Sequence, residues 1–248
     1  MTAALLRPPE LLSPEPGIRD ERIAALRRRL AAVPGKGAGA RIPEVARPVS
    51  VLAVPQALAE LLPRGGLARG TVVSVSGASS LLLGLLASVT GEGGWAAVVG
   101  CPRLGLLAAA EMGADLRRVA LVPHPGSDPV DVAAVLLDGL DLVVLHLAGA
   151  VVGPARARGV GARARHRGGV LVVTGGSWPG AELELRAEVS GCTGLGPGHG
   201  RVRSRELTVA VRGRGQAVRG RSARVLLCPE GSAVHWSPGR TEAQPVAR

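Results

Sequence analysis

Residues 71–90, TVVSVSGASSLLLGLLASVT, have the outline of a phosphate-binding loop without the groups that would work on a phosphate. Val72, Val73 and Val75 predict a strand, Gly77 a tight turn, and an apolar helix follows from about Ser79–Ser80. In that setting the pattern G-x-x-x-x-G-K-[ST] places a lysine on the β/γ-phosphates and a hydroxyl on Mg²⁺. Counted from Gly77, its last three places hold Leu82, Leu83 and Gly84; one residue earlier they hold Leu81, Leu82 and Leu83. Neither register supplies a cation or a hydroxyl. What remains is a degenerate loop, Gly77, Ala78, Ser79 and Ser80, ahead of a helix N-terminus whose N–H groups and dipole favour anions. The leucines that follow are expected to fill the space a phosphate would take.

The other reactive or charged groups fall into two basic runs. Arg201, Arg203 and Arg205 alternate at strand spacing, and Leu207, Val209 and Val211 continue the same parity. One regular strand would turn those arginines toward the core, so they are expected just before the strand, in a hairpin loop with His199. With Arg212, Arg214, Arg219, Arg221 and Arg224 they make the densest basic region, the expected contact for phosphates or for an acidic partner. The segment PARARGVGARARHRGG carries Arg156, Arg158, Arg163, Arg165 and Arg167, read as the solvated face of a helix. His124, His146, His166, His199 and His235 lack metal-ligand spacing, and no C-x-x-C joins Cys101, Cys192 and Cys228. GASSL is not a nucleophile elbow. No metal site is expected.

The elements that must position these groups are α/β. The chain has 248 residues, enough for one α/β domain with an arm and a tail. It has no Phe or Tyr and only three Trp (Trp95, Trp178, Trp236), so its core must be Val, Leu and Ala. That composition suits helices on a parallel sheet. Strands are expected at 71–76, 95–99, 118–122, 141–146 and 169–174, with helices near 79–89, 103–113, 128–138 and 154–167. Alternation of this kind implies βαβ units and a mostly parallel sheet. After residue 180, ELELRAEVSG, RELTVAVRG and SARVLLCPEG read as strands with no helix between them, an antiparallel extension.

Ahead of this core, residues 1–19 are proline-rich and expected to be disordered, and 20–49 hold a helix and a linker. In that helix Ile23, Leu26, Leu30 and Val33 form a narrow apolar stripe suited to docking on a partner or on the rest of the chain. The core is expected over 50–228, and 229–248 as a flexible tail. Residues 71–90 are uncharged over about a membrane-spanning length. Their Ser, Thr and Gly content and mid-way turn read instead as a buried strand and helix. No secretory leader or membrane span is expected. The net charge of +11, almost all arginine with Lys36 the sole lysine, points to polyanions such as DNA, although a GC-rich genome also enriches arginine.

The segment VLAVPQALAELLPRGGLARGTVVSVSG resembles the entry to the RecA recombinase core, with Gly65, Gly66, Leu67 and Gly70 carrying a GGL-x-x-G turn before the phosphate loop. WAAVVG, GLLAAAEMGADLRRVALVP and DGLDLVVLHL follow in the RecA order, and GLGPGHGRVRSRELTVAVRGRG is similar to its late hairpin region. Over residues 20–230 the chain most resembles the ImuA-type accessory proteins of actinobacterial translesion synthesis. The resemblance implies a RecA-like core with an N-terminal helical arm. At the positions of a catalytic glutamate, a magnesium-binding aspartate and a sensor glutamine stand Gly100–Arg103, His146 and Thr174–Gly175, with Asp141 at the wrong end of its strand. It therefore implies a pseudo-ATPase without a cofactor. The loop 175–184, where RecA proteins hold DNA, lacks Arg and Lys, which argues against strand exchange. Trp178 within it is either a base-stacking group or a packing cap.

The implied partners are a Y-family-like polymerase subunit of the ImuB type and an error-prone DnaE-type polymerase, in the cytoplasm and at the nucleoid on DNA damage. The expected function is thus a non-catalytic adaptor in induced mutagenesis. The alternatives are an arginine-rich DNA-binding module, a surviving ATPase with substitute residues, and a cell-division inhibitor of the SulA type.

Overall fold

A computed structural model describes residues 50–196, 199–213 and 220–239. The expected N-terminal helix with Ile23, Leu26, Leu30 and Val33, the linker, and Arg214 and Arg219 lie outside the described residues.

The core is a nine-stranded mixed sheet with helices on both faces of its parallel part. Its strands are β3 (Val72–Gly77), β4 (Ala96–Val99), β5 (Val119–Val122), β6 (Leu142–His146), β7 (Val170–Thr174), β8 (Leu183–Gly196), β9 (His199–Gly213), β10 (Arg221–Glu230) and β11 (Ala233–Pro238). In space they run β11-β10-β9-β8-β3-β7-β6-β4-β5. From β8 to β5 every neighbour pair is parallel, and β9, β10 and β11 add on antiparallel. A two-stranded ribbon, β1 (Val51–Leu52) and β2 (Leu67–Ala68), with the single helical turn α1 (Gln56–Ala59) between, leads in. The crossover helices are α2 (Ser79–Gly91), α3 (Leu106–Glu111), α4 (Pro129–Leu136) and α5 (Pro154–Arg167).

The inner parallel strands β4, β6 and β7 are apolar runs up to their last residue because they are covered on both faces. Val73 and Val75, Val98, Val144 and Val172 face a core shared with α1, α2 and α3. Val72, Val99, Val143, Leu145, Leu171 and Val173 face a second core with α4 and α5. In β8–β10 only one face is covered, and the sequence alternates accordingly. Leu185, Ala187, Leu207, Val209, Val211, Val225 and Leu227 are buried, while Glu184, Arg186 and Arg212 between them are exposed.

Helix α2 has no wet face: Ser80 to Ala87, Val89 and Thr90 are all buried. An all-round apolar helix requires cover on every side, and the sheet supplies one side only. Helix α3 packs against it, and β11 brings Trp236 over Gly84. The 13 residues of α2 reach about 20 Å, short of the ~30 Å needed to cross a bilayer. Among the described residues no helix is long and apolar enough to cross a membrane. Buried Thr90 is satisfied, donating to the Leu86 carbonyl (2.8 Å) and accepting from the Asp115 N–H (3.2 Å).

Two expectations are corrected. The stretch beginning at residue 229 is not simply a tail: β10 runs to Glu230, and β11 pairs with it from Glu230↔Ala233 to Val225↔Pro238. Its apolar signal is almost a single residue, Trp236, which is too little for a periodicity to register. Arg201, Arg203 and Arg205 do not precede the strand in a loop; they lie within β9, which begins at His199.

Gly84 has no room for a side chain, since a Cβ would stand 2.5 Å from Trp236 Cζ2 and 3.1 Å from Pro55 Cγ. Gly84→Ala is expected to destabilise by about 1–3 kcal/mol through overpacking. In a Trp236→Ala background the same change should cost much less, because the clashing ring is gone. Urea unfolding of the four proteins in that cycle measures the coupling.

Candidate functional site

The C-terminal ends of β3, β4, β6 and β7 open onto a cleft of about 450 Å³ lined by Gly77, Ala78, Ser79, Leu82, Cys101, Arg103, His146 and Thr174 among others. This is where ligands bind in open α/β sheets. Its floor is set by the β3–α2 junction. Gly77 ends β3 at φ +87°, with the Ala187 carbonyl where a Cβ would stand, so no other residue fits. Ala78 is the only residue between strand and helix, and its N–H donates to that Ala187 carbonyl (2.7 Å). Leu81 N–H donates to the Ala78 carbonyl (3.1 Å). A phosphate cradle needs several successive N–H groups turned inward. Here the turn is one residue long and its N–H is spent on β8. Leu81, Leu82 and Leu83 are buried in the core, and Leu82 also lines the cleft. Ser80 is buried, and Ala78 gives α2 no side-chain cap.

The remaining walls carry different chemistry from a nucleotide site. His146 ends β6 opposite Thr174, its ring lying where a Cβ on Gly175 would be; Gly175 has φ +67°. Gly100, at φ +77°, donates its N–H to the Val122 carbonyl (2.9 Å) and packs on the His146 carbonyl. Burial pushes the Cys101 thiol up, away from a reactive thiolate. Arg103 is exposed and has no ion pair. No carboxylate lines the cleft. Asp141 sits at the opposite end of β6, where it pairs with Arg69 (2.7 Å) and accepts the Trp95 N–H (2.9 Å). Among the described residues no three His, Cys, Asp or Glu side chains could share a metal ion. Trp178 is 8% exposed and belongs to the core under α5, so it is a packing cap.

The two ends of β9 separate the expected basic cluster. Arg205 pairs with Cys192 and Leu227 near the β8–β9 turn, whereas Arg212 pairs with Glu184 near the far end. Seven residues of strand put them about 23 Å apart. Arg201, Arg203 and Arg205 stand at the same sheet edge as the cleft, because β8 runs parallel to β3 and continues past it. Arg212 and Arg221 stand at the other edge, Arg221 donating to the Glu60 carbonyl (3.2 Å). Arg224 lies between, paired to Glu206 (3.6 Å). The alternation through Arg201 is itself a strand signal, and its polar half is exposed because nothing covers this part of β9.

The family model of the MT3502 N-terminal domain matches residues 60–180, which hold β2 to β7 and every residue lining the cleft. An uncharacterized protein of Mycobacterium tuberculosis, Rv3395c, is 47% identical over 203 residues, 78% of this chain and 93% of that protein. The chain belongs to the same family as Rv3395c. The family profile ends before β8, so the arginine ribbon lies outside the matched domain.

Helix α5, with five arginines, lies inside the matched span and is largely neutralised. Arg156 bridges Asp128 and Asp131, Arg163 and Arg167 share Asp138, and Arg165 reaches Glu182. Among the described residues Arg158 is the one of the five with no ion pair. The Arg163 guanidinium, 2.5 Å away, holds the Asp138 carboxyl below the usual aspartate range. A depressed carboxylate pKa stabilises the fold above the unfolded value near 4 and loses that contribution as pH falls through the folded value. Asp138→Asn is therefore expected to lower stability at neutral pH by about 0.5 kcal/mol, the scale of an exposed pair. The difference from the parent protein should shrink as pH drops below about 4. Thermal melts of both proteins across that range test it.

Proposed function

We propose that this chain is a non-catalytic adaptor with a degenerate RecA-like core, acting in DNA-damage-induced translesion synthesis. The observation that carries the non-catalytic half is the one-residue β3–α2 turn, with Ala78 N–H bonded to Ala187 and three leucines buried after it. Phosphoryl transfer depends on positioning and on charge stabilisation by a lysine, a metal and a base-positioning group. The residues lining the cleft include no lysine and no carboxylate; their cation is a single exposed arginine, Arg103. The RecA-like half is supported by a central strand–turn–helix flanked by parallel strands in a mixed sheet with antiparallel C-terminal strands. The segments that resemble the RecA order occupy β4, β5 and β6 of that sheet.

On this reading the fold is kept for its surfaces. The partners would be a Y-family-like polymerase subunit of the ImuB type and an error-prone DnaE-type polymerase, met in the cytoplasm and at damaged DNA. The apolar stripe Ile23, Leu26, Leu30 and Val33 is one docking element that the resemblance leaves available.

Purified protein is expected to hydrolyse ATP at the buffer background and to show no thermal shift with Mg-ATP. Affinity purification of the tagged chain from DNA-damaged cells is expected to recover polymerase subunits, with recovery reduced on deletion of residues 20–33. Hydrolysis above background would restore the ATPase reading. Absence of every polymerase component from the purified material would end the adaptor reading.

A further inference from the structure

The β8–β9 hairpin is much longer than the sheet it grows from. The parallel strands have four to six residues, whereas β8 has 14 and β9 has 15. Strand β3 ends against Ala187, and beyond that point β8 has only β9 beside it. The register slips between Val189 and Gly191 and again between Thr193 and Leu195, irregularities of the kind that bend and twist a ribbon away from its sheet. None of the described residues from 188 to 206 is buried. Strand β10 flanks β9 as far as Arg205↔Leu227, so the hairpin projects past the cleft edge as a two-stranded ribbon from Ser204 outward, with Arg205 at its base.

Its chemistry is one-sided. Residues 191–205 contain Arg201, Arg203 and Arg205 and no Asp or Glu. All three arginines are exposed and none has an ion pair among the described residues, although most arginines of α5 do. The nearest acids along the strands are already engaged: Glu188 with Arg186, and Glu206 with Ser190 and Arg224. Three unneutralised guanidiniums on one ribbon are held together against their mutual repulsion, which a polyanion would relieve. The ribbon has no Phe, Tyr or Trp, and its one aromatic ring is the imidazole of His199. Sequence-tolerant binding of single strands relies on stacking bases on aromatic rings, and anchors of protein interfaces are typically aromatic as well. Phosphate contact needs neither, and a two-stranded ribbon has the width of a duplex major groove.

We propose that the projecting β8–β9 ribbon is a contact site for the phosphate backbone of duplex nucleic acid, with Arg201, Arg203 and Arg205 as the contacting residues. The inference does not rest on the adaptor reading, and its test contains no polymerase. Full-length protein would be titrated against a fluorescein-labelled duplex of about 20 base pairs by anisotropy, between roughly 0.05 and 0.3 M NaCl. Three phosphate contacts correspond to a log–log salt slope of about 2.7. The variant Arg201→Ala/Arg203→Ala/Arg205→Ala should lose about that much slope and bind about 100-fold or more weakly near 0.1 M salt.

Two further variants separate a site from general charge and from misfolding. Arg64, Arg158 and Arg212 are exposed and without ion pairs, and replacing these three by Ala removes the same net charge away from the ribbon tip. That variant should keep most of the slope. The triple lysine variant of the ribbon should keep it too, since phosphate contact needs charge more than a guanidinium fork. Equal losses in both alanine variants would reduce the effect to net charge and overturn the proposal. It would also be overturned if the parent protein did not bind the duplex, or if the ribbon variant bound it normally and instead lost a protein partner.

Discussion

Gly77 and the Ala187 carbonyl stand in contact at the centre of the sheet, and much of the molecule follows from that approach. The carbonyl occupies the place of a Cβ and accepts the Ala78 N–H at 2.7 Å. One contact thus ties β3 to β8 at the last step of their parallel ladder and starts α2 a single residue later. A turn that tight sends the helix straight down into the core, which is why α2 must be apolar on every face. It also leaves no loop in which backbone N–H groups could gather round a phosphate. The same geometry that makes the fold compact at this point removes the anion cradle. A lysine placed at Leu82 or Leu83 would put a charge into packed core without supplying a loop to hold a phosphate.

Covering α2 then dictates what the C-terminal strands do. The sheet shields one side and α3 another, and Trp236 on β11 lies across Gly84. The antiparallel extension is therefore part of the core. This explains why a segment with almost no apolar period folds as an edge strand: one indole ring, placed by the β10–β11 register, meets a glycine that leaves space for it. Local pattern cannot show that, because the partner is about 150 residues away in sequence.

The parallel half was legible for the opposite reason. Strands such as LVVLH and VLVVT are apolar over their four buried residues because both faces are covered, and Pro154 with Gly168 at φ +73° brackets α5 as expected from residue type. The absence of carboxylates from the cleft could also be read, since motif positions are local in sequence. What could not be read was the arrangement of charge. Alternation placed Arg201, Arg203 and Arg205 on the parity of Leu207 and Val209, and burial was then assumed to follow parity. It does so only while something covers the strand. Beyond Ala187 the hairpin has left β3 behind and β10 follows β9 only as far as Arg205, so the strand persists while its burial stops.

Arginine number is accordingly a poor guide to where this chain is electropositive. Helix α5 carries five arginines, but Asp128, Asp131, Asp138 and Glu182 neutralise four of them, at distances such as 2.5 Å for Arg163 and 3.3 Å for Arg165. Those acids come from the N-cap of α4, α4 itself, the turn after it and the loop before β8, which the parallel sheet brings beside α5. The ribbon has no such neighbours, since a hairpin that leaves the sheet also leaves behind the elements that could carry counter-charges. Its three arginines are exposed for the same topological reason that they are unpaired. Charge that the fold compensates belongs to stability. Charge placed where the fold cannot compensate it is available to another molecule.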